Sequence, residues 1–222
     1  IAAFAMGTKS VPKVDFIAGP GNRYVTEAKR QLFGKAGIDL LAGPSEVLVI
    51  ADESVRKEWV LADLAAQLEH APDARASLIT SSKKLANFIV SVFGKKVKVF
   101  FIKEKTKQIE KADEISPEHL LVMTKNSAAY AGKFKNAGAV FLGKYSPVAM
   151  GDYAAGPSHT LPTGKNAVFS SGLNAGSFLR SYAEINYTKS GLEADMNSAV
   201  SVAEAEGMVN HKKSIEIRKV KT

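Results

Sequence analysis

Glu46-Val47-Leu48-Val49-Ile50-Ala51 is a run of aliphatic and β-branched side chains entered through the loop Gly43-Pro44-Ser45. A run this short, bounded by turn residues, reads as a strand buried on both faces, the kind found inside parallel sheets. Working upstream, 14–17 reads as a short apolar strand, Gly19-Pro20-Gly21-Asn22 as a turn, 24–33 as the helix that the turn opens, and 38–41 as a further extended piece. Downstream, helical spacing of apolar residues over 59–70 gives way to strands at 78–80, 97–102, 120–124 and 139–142, with helices expected over 84–92 and 127–137. Strand, helix, strand order of this kind predicts an α/β protein built on Rossmann-like parallel sheets. After about Gly172 the strands stop. Segments 178–185, 188–191 and 196–207 read as helices, so the tail is expected to be a small helical extension.

The chain has 222 residues, 45% hydrophobic and 23% charged, which suffices for a full core and one or two domains. Its net charge is +8, but the lysines gather in 81–84, 95–107 and 212–221, short segments that solvation accounts for. No aromatic-basic reader motif accompanies them, and no nucleic-acid partner is expected. Zero cysteines exclude disulfides and thiolate metal sites, so a bound metal would take nitrogen and oxygen ligands. No apolar run approaches the roughly 20 residues needed to span a bilayer, and the opening Ile1-Ala2-Ala3-Phe4-Ala5-Met6 lacks a basic leader. No membrane association is expected, and the cytoplasm is the expected compartment. The same opening reads as mid-helix and lacks an initiator Met, so the chain is expected to be part of something longer.

Each of the four histidines lies near an acid or amide: Gln67 and Glu69 with His70, Glu118 with His119, Asp152 ahead of His159, and Glu206 ahead of His211. The pattern predicts a metal or proton-transfer site assembled from distant segments. Gln67 and His70, spaced i, i+3, share one helix face, where an amide oxygen and an imidazole nitrogen can meet one ion. Read alone, His70 is more readily a helix C-cap than a ligand. Glu118-His119 sets a carboxylate and an imidazole at a strand entrance, where acid and base can divide proton transfers; alone, it is equally a solvated loop pair. Around Asp152 and His159, Gly151, Gly156 and Pro157 make a loop whose backbone can approach a ligand closely. Gly19-Pro20-Gly21-Asn22, ahead of a helix, can offer N–H groups to a phosphate, with Asn22 adding an amide.

Taken together, Gly19-Pro20-Gly21-Asn22, Thr26-Glu27-Ala28-Lys29-Arg30, Ile38-Asp39, Ala42-Gly43-Pro44-Ser45-Glu46, Gln67, Glu69-His70, Pro117-Glu118-His119-Leu120, Ser146-Pro147, Gly151-Asp152-Tyr153, His159, Leu161-Pro162-Thr163, Glu206-Gly207 and His211 resemble the histidinol dehydrogenase family, in order and over nearly the whole chain. The resemblance implies a zinc enzyme that oxidises L-histidinol to L-histidine through the bound aldehyde with two NAD in succession, in histidine biosynthesis. It implies zinc ligands Gln67, His70, Asp152 and His211. Glu118 and His119 would be the acid-base pair, His119 handling the alcohol proton and Glu118 activating the water that attacks the aldehyde. Ser45, His159 and Glu206 would contact substrate, as would His119 and the four zinc ligands, and Asn22 would contact NAD. A homodimer is implied, in which the C-terminal segment brings Glu206 and His211 to the partner's site.

On this reading 1–48 ends a Rossmann-like NAD-binding domain, 49–173 is a Rossmann-like metal and catalytic domain, and 174–222 is the helical tail. The family's chain is about twice as long, and its N-terminal half is absent from this sequence. The stretch between His70 and Glu118 is shorter than the family's. Val148 stands where a glutamate is usual, and Ser177, Arg180 and Ser181 where an Asp, a Lys and an Arg are usual. Two other functions fit these departures: a related zinc and NAD enzyme acting on a non-imidazole alcohol such as a sulfonated diol, or a non-catalytic metal-binding and dimerising protein.

Overall fold

The computed structural model describes residues 1–219. Helix α1 (Ala2–Met6) leads to strand β1 (Phe16–Ile17), helix α2 (Arg23–Leu32) and strand β2 (Gly37–Ile38), and the two strands pair in parallel. There follow β3 (Glu46–Ala51), α3 (Lys57–Glu69), β4 (Arg75–Thr80), α4 (Lys83–Phe93), β5 (Val97–Phe101), α5 (Lys105–Ile115), β6 (His119–Met123), β7 (Ala139–Leu142) and the short α6 (Ala149–Tyr153). The five later strands form one parallel sheet in the order β5-β4-β3-β6-β7.

Every residue of β3 and β6 is buried, because helices cover both faces of the sheet centre. Alternation along β3 divides the core. Val47, Val49 and Ala51 pack with Val60 and Leu64 of α3 and Ile89 of α4, while Leu48 and Ile50 pack on the other side with Leu120, Val122 and Ala112 of α5. The expected parallel α/β architecture is therefore present. The boundary expected between 48 and 49 falls inside β3, which is hydrogen-bonded to neighbours on both sides, so the loop 39–45 separates the two sheets instead.

Several local expectations are corrected. The lysine-rich stretch after Gly94 holds, beyond the expected strand β5, helix α5, which the charge content concealed: Gln108, Ile109, Ala112 and Ile115 form its inner face and the lysines its outer one. The helix expected over 127–137 is only a 3₁₀ turn, Ser127–Tyr130. Ser127 Oγ is committed to the Val122 and Thr124 backbone, and Gly132 takes φ +65°, which ends the turn. No helix forms over 179–185, where Leu179, Tyr182 and Ile185 are all exposed and offer no packed face, and Phe178 only closes a 3₁₀ turn. The pieces expected at 188–191 and 196–207 are instead one helix, α7 (Lys189–Ala205), capped by Thr188 Oγ1 and followed by α8 (Val209–Glu216). Gly151-Asp152-Tyr153 lies on α6 rather than in a loop.

The chain divides into two compact units, Ile1–Leu179 and Arg180–Thr222. The second is a helical hairpin in which α7 packs on α8 and Lys212 bridges to Glu204 at 2.9 Å. Among the described residues no helix is long and apolar enough to cross a membrane.

Candidate active site

In open parallel sheets, ligands usually gather at the carboxyl ends of the strands, at the point where strand order reverses. Here the reversal lies between β3 and β6, and the chemistry-bearing groups stand at the opposite, amino ends of the same two strands. Ser45 and Glu46 open β3, and Glu118 and His119 open β6. Ser116 sets the entry to β6: with φ +53° it is one of two described non-glycine residues in left-handed backbone, the other being Lys165, whose carbonyl lies 3.5 Å from Ser116 Oγ. Gly138 packs so closely that a Cβ there would stand 2.6 Å from the Glu118 carbonyl oxygen.

The loop before β3 is tied down from three sides. Thr26 Oγ1 donates to the Ala42 carbonyl at 3.0 Å, the Gly43 N–H donates to Thr163 Oγ1, and Asn166 Nδ2 donates to the Leu41 carbonyl at 3.4 Å. Ser45 then donates from Oγ to Glu118 Oε2 at 2.6 Å, and the Glu46 N–H reaches the same oxygen at 2.9 Å. Gln67, buried on α3, donates from Nε2 to Ser45 Oγ at 2.9 Å. His119 Nδ1 lies 3.3 Å from the Glu46 carbonyl and 3.4 Å from Glu118 Oε2. Both partners are acceptors, so Nδ1 carries the proton in the neutral ring and Nε2 is the basic nitrogen. Burial pulls the His119 pKa down, but the Glu118 carboxylate, the Asp152 charge and the Glu46 carbonyl outweigh it, and the net shift is upward.

His119 and His159 line one cavity of about 340 Å³ with Phe141, Tyr145, Met150 and Leu161. Gly151 lets α6 lie on the Phe141 ring, since a Cβ there would come within 2.6 Å of it, and Asp152 follows directly. The structure thus brings together Ser45, Gln67, Glu118 and His119, with His159 sharing a wall of the cavity and Asp152 within electrostatic reach of His119. His70 is exposed at the C-cap of α3, its Nδ1 3.4 Å from the Ala66 carbonyl, so the helix-cap geometry is present. Asn22 caps α2, its Oδ1 accepting from Tyr24 N at 3.0 Å and Val25 N at 3.2 Å. Glu206 and His211 belong to the second unit, where both border one surface pocket with Val202 and Met208.

Among the described residues no three His, Asp or Glu side chains stand close enough together to hold a metal. The expected zinc set is an amide, an imidazole and a carboxylate in the first unit and an imidazole in the second. Its donor chemistry suits zinc: the carbonyl oxygen of buried Gln67 accepts no hydrogen bond among the described residues, and neither does the Asp152 carboxylate. Val148, expected in place of a glutamate, is buried with Val60 and Leu64, so an apolar side chain suits its site.

Sequence reading missed Glu46, Arg75 and Asp63. Glu46 is a lone acid at the mouth of an apolar strand, a legible signal; burial raises its pKa, opposed by Arg75 at 3.0 Å, and the Glu118 charge adds to the rise. Burial alone raises Asp63, on the same face of α3 as Gln67 and His70, to about 6. Its unfolded-state value is lower, so the unfolded chain loses this proton first as pH rises. The stability it confers is complete below about pH 4 and falls away between about pH 4 and 6. Asp63→Asn is expected to remove that slope and to stabilise the chain at pH 7.5 by roughly 1 kcal/mol, allowing for solvent screening of a partly exposed group. Thermal midpoints at pH 5 and 7.5 check this, and equal midpoints for variant and wild type at pH 7.5 would refute it.

The family model for histidinol dehydrogenase matches residues 1–98 and 87–219. The chain is 45% identical to the histidinol dehydrogenase of Prochlorococcus marinus (strain MIT 9313), over 98% of its own length and 53% of the relative's. Against that of Methanocaldococcus jannaschii the identity is 41%, over 98% and 54%. The crystal structure of histidinol dehydrogenase from Elizabethkingia anophelis superposes with a TM-score of 0.85 at 35% identity, covering 98% of this chain and 54% of that one. The chain spans about half the length of the curated relatives it matches. With sequence, fold and order of motifs all in agreement, it belongs to the histidinol dehydrogenase family of oxidoreductases.

Proposed function

We propose that this chain carries the acid-base groups and the zinc-binding side chains of an enzyme that oxidises L-histidinol to L-histidine through histidinal, using two NAD+. The observation that carries the reading is the hydrogen-bonded set Gln67, Ser45, Glu118 and His119 at the amino ends of β3 and β6. Zinc held by Gln67, His70, Asp152 and the partner's copy of His211 would orient the substrate imidazole and amine, and NAD would accept hydride. His119 Nε2 is the free basic nitrogen on the cavity wall, and takes the alcohol proton. Glu118 has one oxygen saturated by Ser45, Glu46 and His119, which leaves Oε1 to draw a proton from the water that adds to the aldehyde. His159 lines the same cavity and contacts substrate.

On this proposal the residues before β3 close an NAD-binding domain in which Asn22 presents its amide Nδ2, because Oδ1 is occupied in capping α2. The helical hairpin of the second unit crosses to the other subunit of a cytoplasmic homodimer, carrying Glu206 and His211. Its exposed Val202, Val209 and Ile217 support a role in contact with another surface.

The test is NAD reduction by the protein purified at its natural length, with L-histidinol as substrate. Two NADH per histidinol is the expected result. Turnover of a non-imidazole diol and not of histidinol would move the specificity to the related enzyme, and turnover of neither would leave a metal-binding protein.

A further inference from the structure

The hydroxyl of Ser45 stands between two groups, 2.6 Å from Glu118 Oε2 and 2.9 Å from Gln67 Nε2. It has one proton to give. Glu118 Oε2 already accepts the Glu46 N–H at 2.9 Å, and as a carboxylate oxygen it can only accept from Ser45 as well. The Ser45 proton therefore goes to Glu118, and toward Gln67 the hydroxyl can act only as an acceptor. Only the NH₂ end of the Gln67 amide satisfies it, so the carbonyl oxygen is turned away from Ser45. That oxygen accepts no hydrogen bond among the described residues and is not one of their buried atoms left without a partner, so the little exposure this residue has, 4%, includes it. An amide packed into the core with its NH₂ end pinned and its oxygen alone reaching the surface presents that oxygen to a ligand.

We infer that Ser45 is a positioning residue for Gln67: it locks the amide so that its oxygen, the atom able to bind a cation, faces outward as a metal ligand. This rests on the zinc reading above and adds to the substrate contact implied for Ser45. Glu118 takes part at one remove, because its negative charge decides where the serine proton goes. Loss of the hydroxyl frees the amide to rotate, and the orientation with NH₂ outward cannot ligate.

The experiment measures zinc retention against a competing chelator in the protein purified at its natural length. Ser45→Ala is expected to lose zinc affinity by about 10- to 100-fold, as removal of an orienting partner does, and Ser45→Thr, which keeps the hydroxyl, to retain it. The same serine substitution is then made in a Gln67→Glu background. A carboxylate offers two equivalent oxygens and needs no orienting partner, so there Ser45→Ala should change zinc affinity less than about 2-fold. Wild-type affinity in Ser45→Ala, or an equal loss in both backgrounds, overturns the inference; the second outcome would mean packing alone. Should Ser45→Ala fail to fold, Ser45→Val replaces it, matching the shape of threonine without its hydroxyl, and equal retention by Val and Thr variants overturns the inference. A wild-type protein that holds no zinc is a separate result and removes the metal reading itself.

Discussion

Glu118→Gln, introduced into the protein at its natural length, is expected to slow aldehyde oxidation by about 10²- to 10⁴-fold and alcohol oxidation far less. The glutamine still accepts from Ser45 and Glu46 through one oxygen, so the loop before β3 stays in place. What disappears is the second carboxylate oxygen, the one free to take a proton from water. His119 keeps its contact with the Glu46 carbonyl and with it the tautomer that leaves Nε2 basic, so the alcohol proton still has a destination. Separate measurement of histidinol and histidinal oxidation checks the division of labour. Equal losses in the two steps would show that Glu118 acts on both and would refute it.

Lys29→Met is expected to destabilise the chain by about 3–5 kcal/mol, a large share of the roughly 5–15 kcal/mol that holds a domain folded. Lys29 Nζ lies 2.7 Å from Asp39 Oδ1, with the two side chains 5% and 1% exposed, and between them they hold the two peptide groups that flank the Gly19 Cα. Asp39 Oδ2 accepts the Gly19 N–H at 2.7 Å, and Lys29 Nζ donates to the Gly19 carbonyl at 2.5 Å. Removing the ammonium leaves a buried carboxylate held by two backbone N–H groups, those of Gly19 and Leu40, which places the loss toward the lower end of the range. Lys29→Met with Asp39→Asn replaces the stranded charge by a neutral amide and should recover part of the loss. Urea midpoints of the wild type and both variants decide the matter, and a Lys29→Met midpoint equal to wild type would rule out a structural role for the pair. The clamp fixes the turn into α2, so the expected damage reaches Asn22, the residue proposed to meet NAD.

The position of the polar groups in the sheet decides how the site works. The carboxyl ends of β3 and β6 hold Asp52, whose Oδ2 accepts the Lys125 N–H at 3.0 Å and whose Oδ1 accepts the Ser54 N–H at 3.0 Å, a set of loop ties. At the amino ends, Ser45, Glu46, Glu118 and His119 come together because β3 and β6 are paired in register, Val47 opposite His119. That register sets Glu118 beside the residues that open β3. One residue of slip would turn the side chains of β6 to the opposite face and separate the acid-base pair from Ser45.

By itself the sequence determined the parallel α/β architecture, because a buried strand such as Glu46–Ala51 leaves its mark in continuous apolar residues, and helices such as α4 leave theirs in spacing. It also determined the family, because the motifs occur in order along the chain. Helix α5 escaped because its lysines outnumber its buried residues, so composition outweighed periodicity; the helix expected over 127–137 failed because Ser127 and Gly132 redirect the backbone locally. Tertiary structure alone decided that Ser45 and Gln67, 22 residues apart, share a hydrogen bond, and that Ser45 and Glu118, 73 residues apart, share another. It alone revealed Glu46 as the backbone partner of both Glu118 and His119. The physical reason is that periodicity records which face of an element is buried, whereas the orientation of a polar side chain depends on the few donors and acceptors that folding brings within about 3 Å of it.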